Sequence, residues 1–92
     1  MEVTTLYLIW YEIGNGEALK LNFDGDAHPV ADSLWLVRSP LSRSRLYHAI
    51  KRQLPVDTAL LVAPLDDDPD GWPKFKGGAP GALAWLRKHP PD

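Results

Sequence analysis

The chain contains no cysteine. Disulfide frameworks, thiolate nucleophiles and Cys-ligated zinc are thereby excluded. It also lacks an apolar run long enough to cross a bilayer. The hydrophobic stretch near the N-terminus is interrupted at Glu12 and has neither a basic flank nor a small-residue cleavage site. Neither a signal peptide nor a membrane partner is therefore expected, and a cytoplasmic location is the default. Nor is there a marked excess of charge of one sign: twelve Asp and Glu against ten Lys and Arg leave a net charge of −2. Contact with nucleic acid would have to come from a local patch rather than from the overall field. No internal repeat, glycine-rich phosphate loop or nucleophile–base motif is present.

What is present is a core. In 92 residues, 45% are hydrophobic and four are Trp, enough for one packed domain over residues 1–92. Residues 3–13 (VTTLYLIWYEI) are β-branched, aromatic and Leu-rich without a turn residue, and predict a strand. Leu6, Leu8, Trp10 and Glu12 fall on one face and Tyr7, Ile9, Tyr11 and Ile13 on the other, the pattern of a strand covered on both sides. Gly14-Asn15-Gly16 breaks the run as a hairpin signal. Residues 14–24 then read either as a short second strand, from the alternation of Leu19, Leu21 and Phe23, or as one or two helical turns. Residues 24–29 read as loop.

Residues 33–37 predict another strand apolar on both faces. Beyond Pro40 a helix is expected, capped by Ser42 and stapled by Leu41 against Leu46, with Leu46, Ile50 and Leu54 as its buried stripe. Pro55 ends it, and residues 58–64 (TALLVAP) predict a third apolar strand. After residue 65 an acidic loop, a Gly/Pro-rich stretch and a last short helix over residues 81–88 form a C-terminal extension (66–92) to a core spanning 3–65. Strands joined by a helical crossover run parallel, and the first strand fits between them. The expected fold class is α+β, a ferredoxin-like plait: an antiparallel sheet with one main helix, its first helix shortened or replaced by a hairpin strand. Three doubly apolar strands and so few helices leave one sheet face to cover. A homodimer would do this, or the C-terminal segment folded beneath the sheet.

Tyr7-Leu8-Ile9-Trp10-Tyr11-Glu12-Ile13, Ser33-Leu34-Trp35-Leu36-Val37-Arg38, Leu41-Ser42 and Thr58-Ala59-Leu60-Leu61-Val62 together resemble the SinR family of small bacterial proteins, which are distant relatives of the nuclease-like CRISPR adaptation subunit. Gly71-Trp72 and Trp85-Leu86 echo the turn and tail with which that family closes. The similarity covers residues 6–13 and 33–86. It implies a ferredoxin-like fold, a dimer and a setting in prokaryotic genome defence or mobile elements. This chain departs from the family in two places. Residues 14–32 leave little room for the usual first helix, and the first strand ends in Tyr11-Glu12 where the family has Tyr-Asp, the position that in the nuclease-like relatives is assigned to a divalent metal.

The candidate residues follow. Arg38, Arg43, Arg45, His48, Lys51 and Arg52 make the helix region locally basic and could grip a phosphate backbone or an acidic partner; the alternative is an ordinary solvated helix face. Glu12 is the candidate metal ligand, with Mg²⁺ as the cofactor of a metal-dependent endonuclease; otherwise it is a strand-end carboxylate and no cofactor is needed. The acidic cluster at Asp66, Asp67, Asp68 and Asp70 could serve a small inhibitor docking on a larger protein, or form a solvated loop. His28, His48 and His89 fall in three separate elements, a poor basis for zinc. The leading expectation is a homodimeric binding or scaffold module contacting nucleic acid or a protein, without catalysis.

Overall fold

A computed structural model describes residues 3–12, 21–31, 33–74 and 81–88. Along them run β1 (Thr5–Tyr11), β2 (Asp26–Ala31), β3 (Leu34–Ser39), α1 (Arg43–Lys51), β4 (Leu60–Leu65) and α2 (Ala82–Lys88). The strands form one antiparallel sheet in the order β2-β3-β1-β4. β3 and β4 both run against β1, which lies between them, and α1 is the crossover that joins them. The protein is thus α+β, with a four-stranded antiparallel sheet and two helices among the described residues, an arrangement compatible with an α+β plait.

The period-2 alternation of β1 divides the core as its sequence predicts. Tyr7, Ile9 and Tyr11 join Val37, Phe23, Leu46 and Ile50 on a first face, beneath α1. Leu6 joins Leu36, Val30 and Leu86 on a second face, with Leu8, Leu34, Leu65, Trp72 and Trp85 packed around them. The C-terminal segment therefore supplies the cover for the second face, and the core draws on Leu86 as well as on residues before 65. The second of the two expected covers, the C-terminal segment folded beneath the sheet, is thus present: α2 is short, but Trp72 and Trp85 widen the area it shields. The cover stops before the β1–β4 side, where Trp10 and Leu61 remain 41% and 48% exposed.

The second strand also needs correcting. Residues 13–20 lie outside the described residues, and the strand-or-helix alternative for 14–24 rests mostly on them; Leu21, Asn22 and Phe23 are in neither helix nor strand. The strand instead occupies Asp26–Ala31, where a loop is the sequence reading. Pro29 obscured it, and pairing parity explains why it is tolerated. Tyr11 N–H donates to Ser33 O at 3.2 Å, which sets residues 33, 35, 37 and 39 of the third-strand region bonding toward β1 and 34, 36 and 38 toward β2. Pro29 pairs with Trp35, so its missing N–H is on the outer edge, where no ladder bond is lost. The same count applies to β4: Glu12 N–H donates to Ala59 O at 3.0 Å, and Pro64, opposite Tyr7, also turns its nitrogen outward.

The helix start is pinned from several sides. Ser42 is the N-cap, its hydroxyl accepting from Arg45 N–H at 3.3 Å. Just before it, the Tyr7 hydroxyl donates to Leu41 O at 2.8 Å, Leu41 N–H donates to Ser39 Oγ, and the Ser39 hydroxyl donates to Asp24 O. Gly25 lies so close to β3 that a Cβ there would fall 2.1 Å from Arg38 O. At its other end, α1 is held by Gln53, which accepts from Asn22 N–H and donates to Asn22 O, both at 2.7 Å.

Candidate functional site

Five of the six candidate basic-site residues lie on α1 or at its C-cap. Leu46 and Ile50 are the buried positions of α1, and Arg43, Arg45, His48, Lys51 and Arg52 are all exposed. The helical period forces this separation, because Arg45, His48 and Arg52 fall on the side opposite the Leu46–Ile50 stripe. The helix contains no acidic residue, so none of its cations has a partner one turn away. Among the described residues no carboxylate lies within 4.0 Å of Arg43, Arg45, Lys51 or Arg52. An excess of positive charge is thus displayed on one surface of a chain whose net charge is negative.

Tyr47 follows Leu46 in α1 and so flanks the buried stripe. The structure puts the Tyr47 ring at the rim, half-buried, with His48 against its edge at 5.3 Å and Lys51 Nζ 6.0 Å from its centroid. The spacing of Tyr47 to Lys51 at i, i+4 was the available signal. An aromatic face beside exposed cations can accept a stacked base as well as a phosphate.

Arg38 belongs elsewhere. It shares strand parity with Leu34 and Leu36, so its side chain enters the second sheet face and is 5% exposed. Its Nε and Nη2 make a two-pronged ion pair with Asp67 at 2.8 and 2.9 Å. Nη2 also donates to Leu86 O at 3.0 Å and Nη1 to Trp85 O at 3.5 Å, and the guanidinium lies 4.7 Å from the Trp85 ring centroid. Trp85 and Leu86 are in the last four residues of α2, whose carbonyls have no intrahelical donor. Arg38 therefore caps the C-terminus of α2 through its side chain and pins it to the sheet, with its hydrogen-bonding capacity committed inside the protein.

The acidic loop is likewise structural in part. Asp67 accepts from Arg38 and from Trp72 Nε1–H at 2.9 Å. Asp68 Oδ1 accepts from Gly71 N–H at 2.8 Å and closes the turn. A Cβ on Gly71 would lie 2.4 Å from Asp66 O, a contact only glycine avoids. Asp66, Asp68 and Asp70 are exposed.

Glu12 is exposed, one residue past β1, where its N–H donates to Ala59 O. Among the described residues no three His, Asp or Glu side chains gather as a metal site. His28 lies on β2 beneath α2, stacked on Trp85 at 5.9 Å, its Nε2 buried without a hydrogen-bond partner among the described residues; His48 is on α1, and His89 lies outside the described residues. No helix among the described residues is long and apolar enough to cross a membrane. Comparisons with protein-family models, curated proteins and solved structures return no match for this chain.

Proposed function

We propose that this protein is a small homodimeric binding module that holds a nucleic-acid backbone on the outer face of α1. The observation that carries the reading is the set of four exposed Lys and Arg side chains, Arg43, Arg45, Lys51 and Arg52, with no carboxylate near them among the described residues. Phosphate oxygens would supply the missing anions, with Tyr47 and His48 as the neighbouring stacking and hydrogen-bonding groups. We further assign the fold to the ferredoxin-like class, supported by the β2-β3-β1-β4 order and the α1 crossover around β1. The resemblance to the SinR family extends this to a role in prokaryotic genome defence or mobile-element biology.

The test is fluorescence anisotropy with labelled single-stranded RNA and double-stranded DNA across a salt series. Each phosphate neutralised contributes about −0.9 (duplex) or −0.7 (single strand) to the slope of log K against log salt. If three or four of these cations engage per chain, the slope per chain is roughly −2 to −4. The double substitution Arg45→Gln/Arg52→Gln should flatten it by about 1.5 to 2 while leaving folding stability within about 0.5 kcal/mol. Binding whose slope is unchanged by that substitution, or no binding at about 50 mM salt, would refute the assignment. Incubation of the same RNA and DNA with Mg²⁺ or Mn²⁺ separates this reading from the endonuclease alternative. Intact nucleic acid is expected; cleavage lost in Glu12→Ala would move the function to Glu12.

A further inference from the structure

We infer that two copies of this chain join through the outer edge of β4, in an antiparallel pairing whose two-fold axis passes between the two Leu61 residues. The inference deepens the homodimer part of the proposed function and rests on it.

The two sheet edges differ in what they offer. On β2, Pro29 removes an outward donor and a register irregularity between Pro29 and Ala31 disrupts the line of the strand, both devices that discourage pairing. On β4, the ladder parity turns the N–H and C=O groups of Leu60 and Val62 outward, with Pro64 the next outward position. Among the described residues, no hydrogen bond to these Leu60 and Val62 groups is found. The edge is therefore open over one short segment and closed at its C-terminal end by a proline.

That segment is self-complementary in one register. When Leu60 faces Val62 of a second copy, each outward N–H of Leu60 and Val62 meets an outward C=O of the other residue, and the two-fold repeats the pair. Four hydrogen bonds form, and Pro64 falls opposite Thr58, which lies before the first residue of β4, so the pairing ends without needing a proline donor. A pairing centred on Val62 would set Leu60 opposite Pro64, and each Leu60 carbonyl would face a proline nitrogen. In the favoured register Leu61 meets Leu61 in a non-hydrogen-bonded pair, where side chains approach most closely. Leu61 is already 48% exposed, and its cross-strand neighbour on β1 is Trp10, 41% exposed. The junction thus lines up Trp10, Leu61, Leu61 and Trp10 as one apolar row across the two copies. It lies on the strip of the second face that α2 and Trp72 leave uncovered.

The symmetry has a consequence for α1. A two-fold that pairs strands edge to edge within one sheet stands perpendicular to it and keeps equivalent faces on the same side. α1 packs on β4 from the first face, over Leu60 and Val62. Both copies of α1 therefore lie on the same side of an eight-stranded sheet, next to the axis, and their exposed cations form one surface twice as long. This is how a chain with so short a helix could span several consecutive phosphates.

The experiment is multi-angle light scattering with cysteine cross-linking, which the cysteine-free sequence makes unambiguous. The wild type should run at twice the 10.3 kDa chain mass. Val62→Pro removes an outward donor without touching the β1 ladder and should weaken the dimer roughly tenfold or more, since two of the four inter-copy bonds go. Leu61→Cys should oxidise to a covalent dimer, because a non-hydrogen-bonded pair sets the two Cα atoms about 4.5 Å apart, within disulfide reach. Ala63→Cys should not, its two copies being offset by four residues, about 13 Å. A wild-type dimer that survives Val62→Pro, combined with no cross-link at Leu61, would overturn the β4 interface while leaving the dimer standing. A wild-type mass that stays at 10.3 kDa through the accessible concentration range would overturn the dimer itself. The salt-slope assay reports on the cationic face independently of both.

Discussion

Removing the Asp67 carboxylate offers the most direct test of the account given for Arg38. Asp67→Ala leaves a guanidinium whose side chain is 6% exposed without its two charge-assisted bonds, and leaves Trp72 Nε1–H without its acceptor. Orphaning one partner of a buried pair costs about 3–5 kcal/mol. Here Arg38 keeps the Trp85 and Leu86 carbonyls and the Trp85 ring, and Asp67 itself is 19% exposed. The lower end, about 3 kcal/mol, is the expected loss. A domain of this size has a total stability of roughly 5–14 kcal/mol, so the substitution removes a large part of it. It should lower the melting temperature by roughly 10–20 °C.

The assay is urea unfolding followed by tryptophan emission, with the m-value checked so that a change in midpoint can be read as a change in stability. Arg38→Met/Asp67→Leu, which removes both charges and keeps apolar volume, should be more stable than Asp67→Ala alone, because no buried charge is left behind. A loss below about 1 kcal/mol in Asp67→Ala would refute the reasoning, since that is the range of solvent-exposed pairs. It would mean that Arg38 reaches water when its partner is gone.

Two further substitutions probe the local supports of the fold. Ser42→Ala removes the side-chain acceptor of Arg45 N–H and should cost about 1 kcal/mol in the same unfolding assay. It should also weaken nucleic-acid binding no more than that loss of helix order requires. Gly71→Ala drives a Cβ against Asp66 and should cost about 1–3 kcal/mol. Because the turn at Gly71 presents Asp67, its effect should be less than additive with Asp67→Ala, and additive behaviour would uncouple the turn from the ion pair.

Much of the sheet was legible because β1 states its two faces outright: Tyr7, Ile9 and Tyr11 against Leu6, Leu8 and Trp10. The Ser42 cap and the Leu46–Ile50 stripe were legible for the same reason, since each is a local pattern with one physical solution. β2 was not, because Pro29 and Asp26 carry low strand propensity, and what tolerates Pro29 is pairing parity with Trp35, a non-local fact. The role of Arg38 was half-visible. Its parity with Leu34 and Leu36 already aims it into an apolar face and so demands a counterion, but which of the aspartates after residue 65 supplies it depends on the turn closed by Asp68 and Gly71. Proximity in sequence to Arg43 and Arg45 grouped Arg38 with them, and strand parity, which turns Arg38 into the second face while α1 covers the first, separates them in space.

That separation makes ionic strength a discriminating variable. Arg38 and Asp67 interact where solvent ions have little access, so the contribution of their pair should change little between low and high salt. The cations of α1 lie in water, and whatever they hold should be released steeply as salt rises. Two charged clusters, on opposite faces of one sheet, are thus expected to respond differently to the same titration. Stability should stay nearly flat where affinity falls. If instead both fell together, binding loss would be tracking the loss of the fold, and the exposed charges of α1 would carry no separate function.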